Sequence, residues 1–246
     1  MKVNKITSLV CFSFIFVSGM MMVFLYDNNV IFSVLSGLFT GFIASFVISI
    51  IGYFHEKAKI IESIGINIKS LFVNMTAMSK ILGNTLPSIH NSEIIQDLSF
   101  KHVSGISTLN LNLLEKMNLG LYNPFVKNSK NMAVYKKLLE YWLSLQTISN
   151  ISKNIETRVL EYNLEIMNVQ LAQTKGIMVP SEKLKQLDEL KNEINIKVAK
   201  FHEYVCGQTI ELEKISKKYY NGKKNDKNWL KIKEKLLLQV DDILRG

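Results

Sequence analysis

Four histidines, His55, His90, His102 and His202, are the side chains best suited to move a proton near neutral pH. Two of them stand beside a carboxylate, in His55-Glu56 and His202-Glu203, which on paper form acid–base dyads. On a helix adjacent residues point in different directions, so neither dyad converges on a substrate. His55 also closes an apolar run, where a polar interfacial residue needs no catalytic reason. No G-x-x-x-x-G-K-[ST], G-x-G-x-x-G, H-E-x-x-H or G-x-S-x-G spacing occurs. The 12 glycines are too scattered to build a phosphate-cradling loop. Cys11 lies in an apolar run and Cys206 in a charged segment, with no Cys-x-x-Cys or Cys/His ligand spacing, so neither a disulfide nor structural zinc is expected. These residues predict no enzyme, no metal and no cofactor.

The remaining chemistry is electrostatic. The 246 residues carry 30 basic and 21 acidic side chains, a net charge of +9. Such an excess favours phosphates or anionic head groups without choosing between them. Arg158 and Arg245 are the only arginines, and bidentate reading of phosphate or guanine normally uses Arg, so sequence-specific DNA recognition is not expected. Abundant Asn, Ile and Lys together also match AT-rich coding DNA, which offers a compositional source for the lysines. They crowd near the C-terminus at Lys214, Lys217, Lys218, Lys223, Lys224, Lys227, Lys231, Lys233 and Lys235, with Tyr219, Tyr220 and Trp229 interleaved. Lysines on phosphates beside aromatics under bases are how single-stranded nucleic acid is held without sequence readout. Lys217, Lys218, Lys223, Lys224, Lys227 and Lys231 are therefore the candidate partner or nucleic-acid contacts. A solvated helix face with its aromatics packed inward, or a lipid head-group surface, fits the same pattern.

The elements that must carry these residues begin with two apolar runs. Ile6 to Tyr26 contains no charge and as a helix spans about 32 Å, matching a bilayer core of about 30 Å. A signal peptide would have a shorter apolar core and end in small residues, whereas this run ends in Met20-Met21-Met22-Val23-Phe24-Leu25-Tyr26. Asp27-Asn28-Asn29 makes a very short polar turn, and Val30 to Phe54 is again uncharged. Two spans with almost no loop predict an antiparallel transmembrane hairpin over residues 1–54. Lys2 and Lys5 precede it and Lys57 and Lys59 follow it, while the turn carries no cation, so both termini are expected in the cytoplasm. In the second span Ser33, Gly37, Gly41, Ser45 and Ser49 recur every four residues, with Gly37 and Gly41 forming a G-x-x-x-G. In lipid, such a ridge of small residues lets helix backbones approach closely. It either packs the second span on the first or also mates copies of the chain. Neither span contains a buried acid, a base or a proline break, which argues against a selective transporter.

Residues 55–246 are expected to form a cytoplasmic bundle of long antiparallel helices, making the chain all-α. Ile61, Ile64, Ile68, Leu71, Met75, Met78 and Leu82 keep alternating three–four spacing, and Pro87 is expected to end that helix. His90-Asn91-Ser92 and Ser104-Gly105 read as turns, with short helices around Ile94 to Leu98 and Leu109 to Met117. A long helix from about Ser129 to Lys175 follows, with a seam through Leu138, Trp142, Leu145, Ile148, Ile155, Tyr162 and Ile166. Gly176 should stop it, and Ser181 should N-cap a partner helix carrying Leu184, Leu187, Ile194, Val198, Phe201, Val205, Leu212 and Ile215. Asn221-Gly222 turns the chain into a closing helix through Trp229, Ile232, Leu236, Val240 and Ile243.

The stretch Gly37-Leu38-Phe39-Thr40-Gly41-Phe42-Ile43-Ala44-Ser45-Phe46, running into Gly52-Tyr53-Phe54-His55-Glu56-Lys57, resembles the two-transmembrane effectors of bacterial anti-phage defence, most of all those paired with a retron reverse transcriptase. The likeness covers the hairpin and the helix leaving it, about a third of the chain. It implies abortive infection from the inner membrane: a partner holds the effector silent, phage attack releases it, and the membrane is permeabilised. The implied partner is a reverse transcriptase with its RNA-linked DNA, which a Lys-rich end could contact. A membrane-tethered scaffold or adaptor without toxicity is the competing expectation.

Overall fold

The computed structural model describes residues 2–116, 130–221 and 227–245. Among them are six α-helices and no strand: α1 (Lys2–Phe24), α2 (Asn29–Asn91), α3 (Asp97–Lys116), α4 (Lys130–Thr174), α5 (Ser181–Asn221) and α6 (Lys227–Arg245). The chain forms two compact units, Met1–Ile64 and Gly65–Gly246. The first extends beyond the expected limit at Phe54 because α2 leaves the apolar run without a break.

In the first unit α1 and α2 form an antiparallel hairpin. As α1 ascends its contacts descend α2: Asn4 lies against Gly52, Phe12 meets Phe46 at 5.9 Å, Phe14 stacks on Phe42 at 4.9 Å, and Gly19 faces Phe39. The short turn is set by Asn28. Its backbone carbonyl accepts from the Phe32 amide at 2.8 Å while its side-chain oxygen accepts from the Ile31 amide at 3.2 Å, which makes it the N-cap of α2. Within the apolar runs Ser18 donates to the Phe14 carbonyl at 2.7 Å and Thr40 to that of Ser36 at 2.9 Å, so these hydroxyls are satisfied by their own helix.

In the second unit the later part of α2 is the central helix. Ile68, Leu71, Met75, Met78 and Leu82 are all buried, as their spacing requires, and each contributes roughly 1.5–3 kcal/mol of apolar burial. Pro87 does not end α2, which continues to Asn91. Proline removes one donor, the one that would pair with the Gly83 carbonyl, and the last turn is held from outside by fully buried Ile89. Ser104-Gly105 is not a turn either. One helix, α3, runs through it, because Val103, Ser104, Ser107 and Asn110 share a buried face that pays no attention to the small residues between them. Ser107 and Ser152 join α3 to α4 by a hydroxyl pair at 3.0 Å, and Asn74 donates to Asn110 at 2.8 Å.

The connection into α3 is clamped on α4. Asn163 accepts from the Ile95 amide at 3.0 Å and donates to the Ile95 carbonyl at 2.8 Å, while the Tyr162 phenol donates to the Glu93 carbonyl at 3.0 Å. Burial pushes the Tyr162 phenol up, with the Asp188 and Glu93 carboxylates adding to it, so it remains a donor at neutral pH. The helices α4 and α5 are antiparallel, pinned near their junction by Lys183 to Glu165 at 2.7 Å and farther along by the Tyr141 phenol on the Gln208 carbonyl at 3.2 Å.

Gly176 ends α4 in the left-handed region, at φ 71°. The Gly176 amide donates to Gln173 at 3.0 Å and the Ile177 amide to Ala172 at 2.9 Å, the two bonds of a Schellman stop. Pro180 supplies the first acceptor of α5, to the Leu184 amide at 3.4 Å, so Ser181 is the first helical residue and not the cap. Gly176→Ala forces a Cβ into that conformation and is expected to destabilise the bundle by about 1–2 kcal/mol, seen as a lower urea midpoint with helicity unchanged.

Candidate functional site

The apolar hairpin is the feature with the most consequence. Both of its helices are long and apolar enough to cross a membrane, and only 11% of the apolar stretch in α1 and 6% of that in α2 is buried. A core helix of a water-soluble domain would be mostly covered. Here Leu9, Phe12, Phe16, Val23, Phe24, Val34, Ile48 and Phe54 point outward. An apolar surface of this extent needs lipid or protein over it.

The small residues of α2 do not all face α1. Ser33, Gly37, Gly41 and Ser45 are exposed, and a Cβ added at Gly37 or Gly41 would meet nothing within 4 Å. Ser49 is buried. The cause is geometric: at about 100° per residue a four-residue step drifts about 40° around the helix. A ridge that starts away from α1 at Ser33 therefore winds into the Phe42–Phe46 contact face by Ser49. Packing of α2 on α1 uses the aromatic residues and Ser49, and leaves the G-x-x-x-G segment open.

The lysine-rich end divides differently from the expected pattern. Lys217 and Lys218 on α5 and Lys231 on α6 are exposed and, among the described residues, carry no ion pair. Lys214 is matched by Glu211 at 2.5 Å and Lys233 by Glu213 at 2.8 Å. The Lys214 ammonium beside Glu211 holds that carboxyl below its usual range. Lys223 and Lys224, with the turn at Gly222, lie outside the described residues, as does the Lys227 side chain.

Of the interleaved aromatics Trp229 is a core residue, while Tyr219 and Tyr220 are half-buried. Trp229 is fully buried, edge-on to Phe72 at 5.2 Å and stacked on Tyr220 at 5.7 Å. The Tyr220 phenol donates to the Gly65 carbonyl at 2.6 Å, and a Cβ at Gly65 would come within 3.1 Å of the Tyr219 ring, so glycine is what lets this end of α5 sit on α2. Burial pushes the Tyr220 phenol up, with a smaller contribution from Tyr219. Lys69 lies over the Tyr220 ring at 5.4 Å. Trp229 is closed off and offers no platform for stacked bases, whereas Tyr219 and Tyr220 remain partly exposed beside the lysines.

His55, His90 and His102 are exposed, and among the described residues no group of His, Cys, Asp and Glu could hold a metal ion. One pairing escapes inspection of adjacent residues: His202 and Cys206, four apart on α5, meet each other and Ser79 of α2. The four-residue spacing was the available signal. Comparison with protein-family models, curated proteins and solved structures finds no match.

Proposed function

We propose that the chain is a two-span effector of the bacterial inner membrane, with both ends cytoplasmic, whose hairpins associate through Ser33, Gly37, Gly41 and Ser45 and permeabilise the bilayer when a restraining partner lets go. The observation that carries this reading is the open ridge: a Cβ added at Gly37 or Gly41 would meet nothing within 4 Å, in a span that also turns Val34, Leu38, Val47 and Ile48 outward. Between helices in lipid apolar burial supplies no drive, so close backbone approach at such a ridge is the available source of attraction. The resemblance of Gly37–Lys57 to anti-phage effectors assigns the outcome to abortive infection, and the restraining partner to a reverse transcriptase with its RNA-linked DNA. Lys217, Lys218 and Lys231 are the described cations that would meet its phosphates.

Induction of the chain alone in bacteria is expected to collapse the membrane potential within minutes, read with a voltage-sensitive dye, and co-expression of the partner to prevent it. Harmless accumulation in the membrane with no dye response would overturn the effector reading.

A membrane-tethered scaffold is the second reading. It is favoured by Leu160, Leu164, Met167 and Leu171 of α4, which follow a four–three–four spacing and are 37–61% exposed. Replacing residues 1–54 by an unrelated two-span hairpin separates the two, because a scaffold keeps its activity and an effector loses it.

A further inference from the structure

His202 and Cys206 lie one turn apart on α5, both partly exposed, and their side chains meet α2. Cys206 Sγ is 3.4 Å from His202 Nε2 and 3.0 Å from Ser79 Oγ. One turn beyond Ser79 on α2 is Gly83, where a Cβ would stand 3.3 Å from His202 Nε2, so the glycine gives the imidazole its space. Two helices thus place a thiol between a base and a hydroxyl, the arrangement that activates a sulfur nucleophile. The other thiol, Cys11 on α1, is buried and has no such neighbours among the described residues.

From this cluster we infer that Cys206 is a redox modification site, at which a hydroperoxide converts the thiol to a sulfenic acid. His202 Nε2 takes the Sγ proton as sulfur attacks one peroxide oxygen. The S–O bond forms, the O–O bond breaks, and the departing oxygen recovers the proton from the imidazolium to leave as water or an alcohol. Sulfur is oxidised by two electrons and the peroxide is reduced by the same two. Ser79 donates its hydroxyl to the sulfur while that atom carries charge. The added oxygen falls in the α2–α5 contact, where it displaces the Ser79 hydroxyl from its 3.0 Å position. An external thiol reductant returns the sulfenic acid to the thiol.

The site does not depend on the effector reading, and its test uses the full chain in detergent micelles. Hydrogen peroxide followed by dimedone, with peptide mapping by mass spectrometry, is expected to label Cys206 and leave Cys11 unlabelled. His202→Gln is expected to slow labelling at least about tenfold. Added imidazole should restore most of the rate, which a merely structural role for His202 would not allow. Circular dichroism confirms that the variant keeps its helices, and Ser79→Ala gives a second, milder perturbation of the same site. Three results would each overturn the proposal: Cys206 alkylated by iodoacetamide yet untouched by peroxide, His202→Gln reacting at the wild-type rate, or a slowed but folded variant that imidazole fails to rescue.

Discussion

Gly41→Leu should abolish both membrane depolarisation and cross-linking between copies, while the amount of membrane-inserted protein stays the same. The separation is possible because the Cβ position at Gly41 is open, so the new side chain meets nothing inside its own hairpin. It does stand where a second backbone would approach, and overpacking of that kind costs about 1–3 kcal/mol, on the order of 10- to 100-fold in association. Gly19→Leu is the instructive contrast. A Cβ there lies 3.3 Å from the Phe39 ring, so a larger side chain disturbs the hairpin itself and should lower the amount inserted. Val47→Leu, at another exposed position on α2, should change neither quantity. Cysteine-free chains with single cysteines beside the ridge, cross-linked in native membranes, provide the measurement. A Gly41→Leu chain that cross-links and depolarises like the parent would remove the ridge from the mechanism.

Trp229→Ala should have the largest effect on the second unit, lowering its stability by about 3–5 kcal/mol. Trp229 is fully buried and touches Phe72 of α2 and Tyr220 of α5, so one side chain fastens α6 to two other helices. Each aromatic pair adds about 0.5–1.5 kcal/mol to the area it buries. The ion pairs that also hold α6, Lys80 with Asp241 and Lys233 with Glu213, are partly exposed and worth at most about 1 kcal/mol each. After the indole is removed, α6 is left with these pairs and with buried Leu236 and Val240. Urea unfolding followed by circular dichroism should show the midpoint shift, and Lys233→Ala a shift several-fold smaller.

Much of this architecture was legible from periodicity. The spacing of Ile68, Leu71, Met75, Met78 and Leu82 identified the face of α2 that is buried, and the α5 seam from Leu187 to Ile215 did the same. Leu184 is the exception, 41% exposed because it lies in the first turn of α5. Local rules failed where tertiary burial outweighed them. Pro87 and the Ser104-Gly105 pair carry breaker propensities of about 1–3 kcal/mol, and burial of Ile89, Val103 and Ser107 on either side overrode them. The N-cap at Asn28 could have been found, since a short polar side chain just before an apolar helix is the usual signal. Composition could not say whether Tyr220 and Trp229 face bases or core, because the same alternation of lysine and aromatic serves both. Nor could spacing say which way the Gly37–Gly41 ridge faces, since that depends on how α1 is seated on α2. The Ser79–Cys206 contact joins residues 127 positions apart, and no local pattern encodes it.

The winding of the small-residue ridge also limits how two hairpins could lie together. From Ser33 to Ser45 is about 18 Å of helix, little more than half a bilayer core, before α1 occupies the same side. Neighbours that follow it touch in the half of the span next to the Asn28 turn and diverge toward Phe54. A ring assembled this way is tight at one leaflet and splayed at the other, a funnel and not a cylinder.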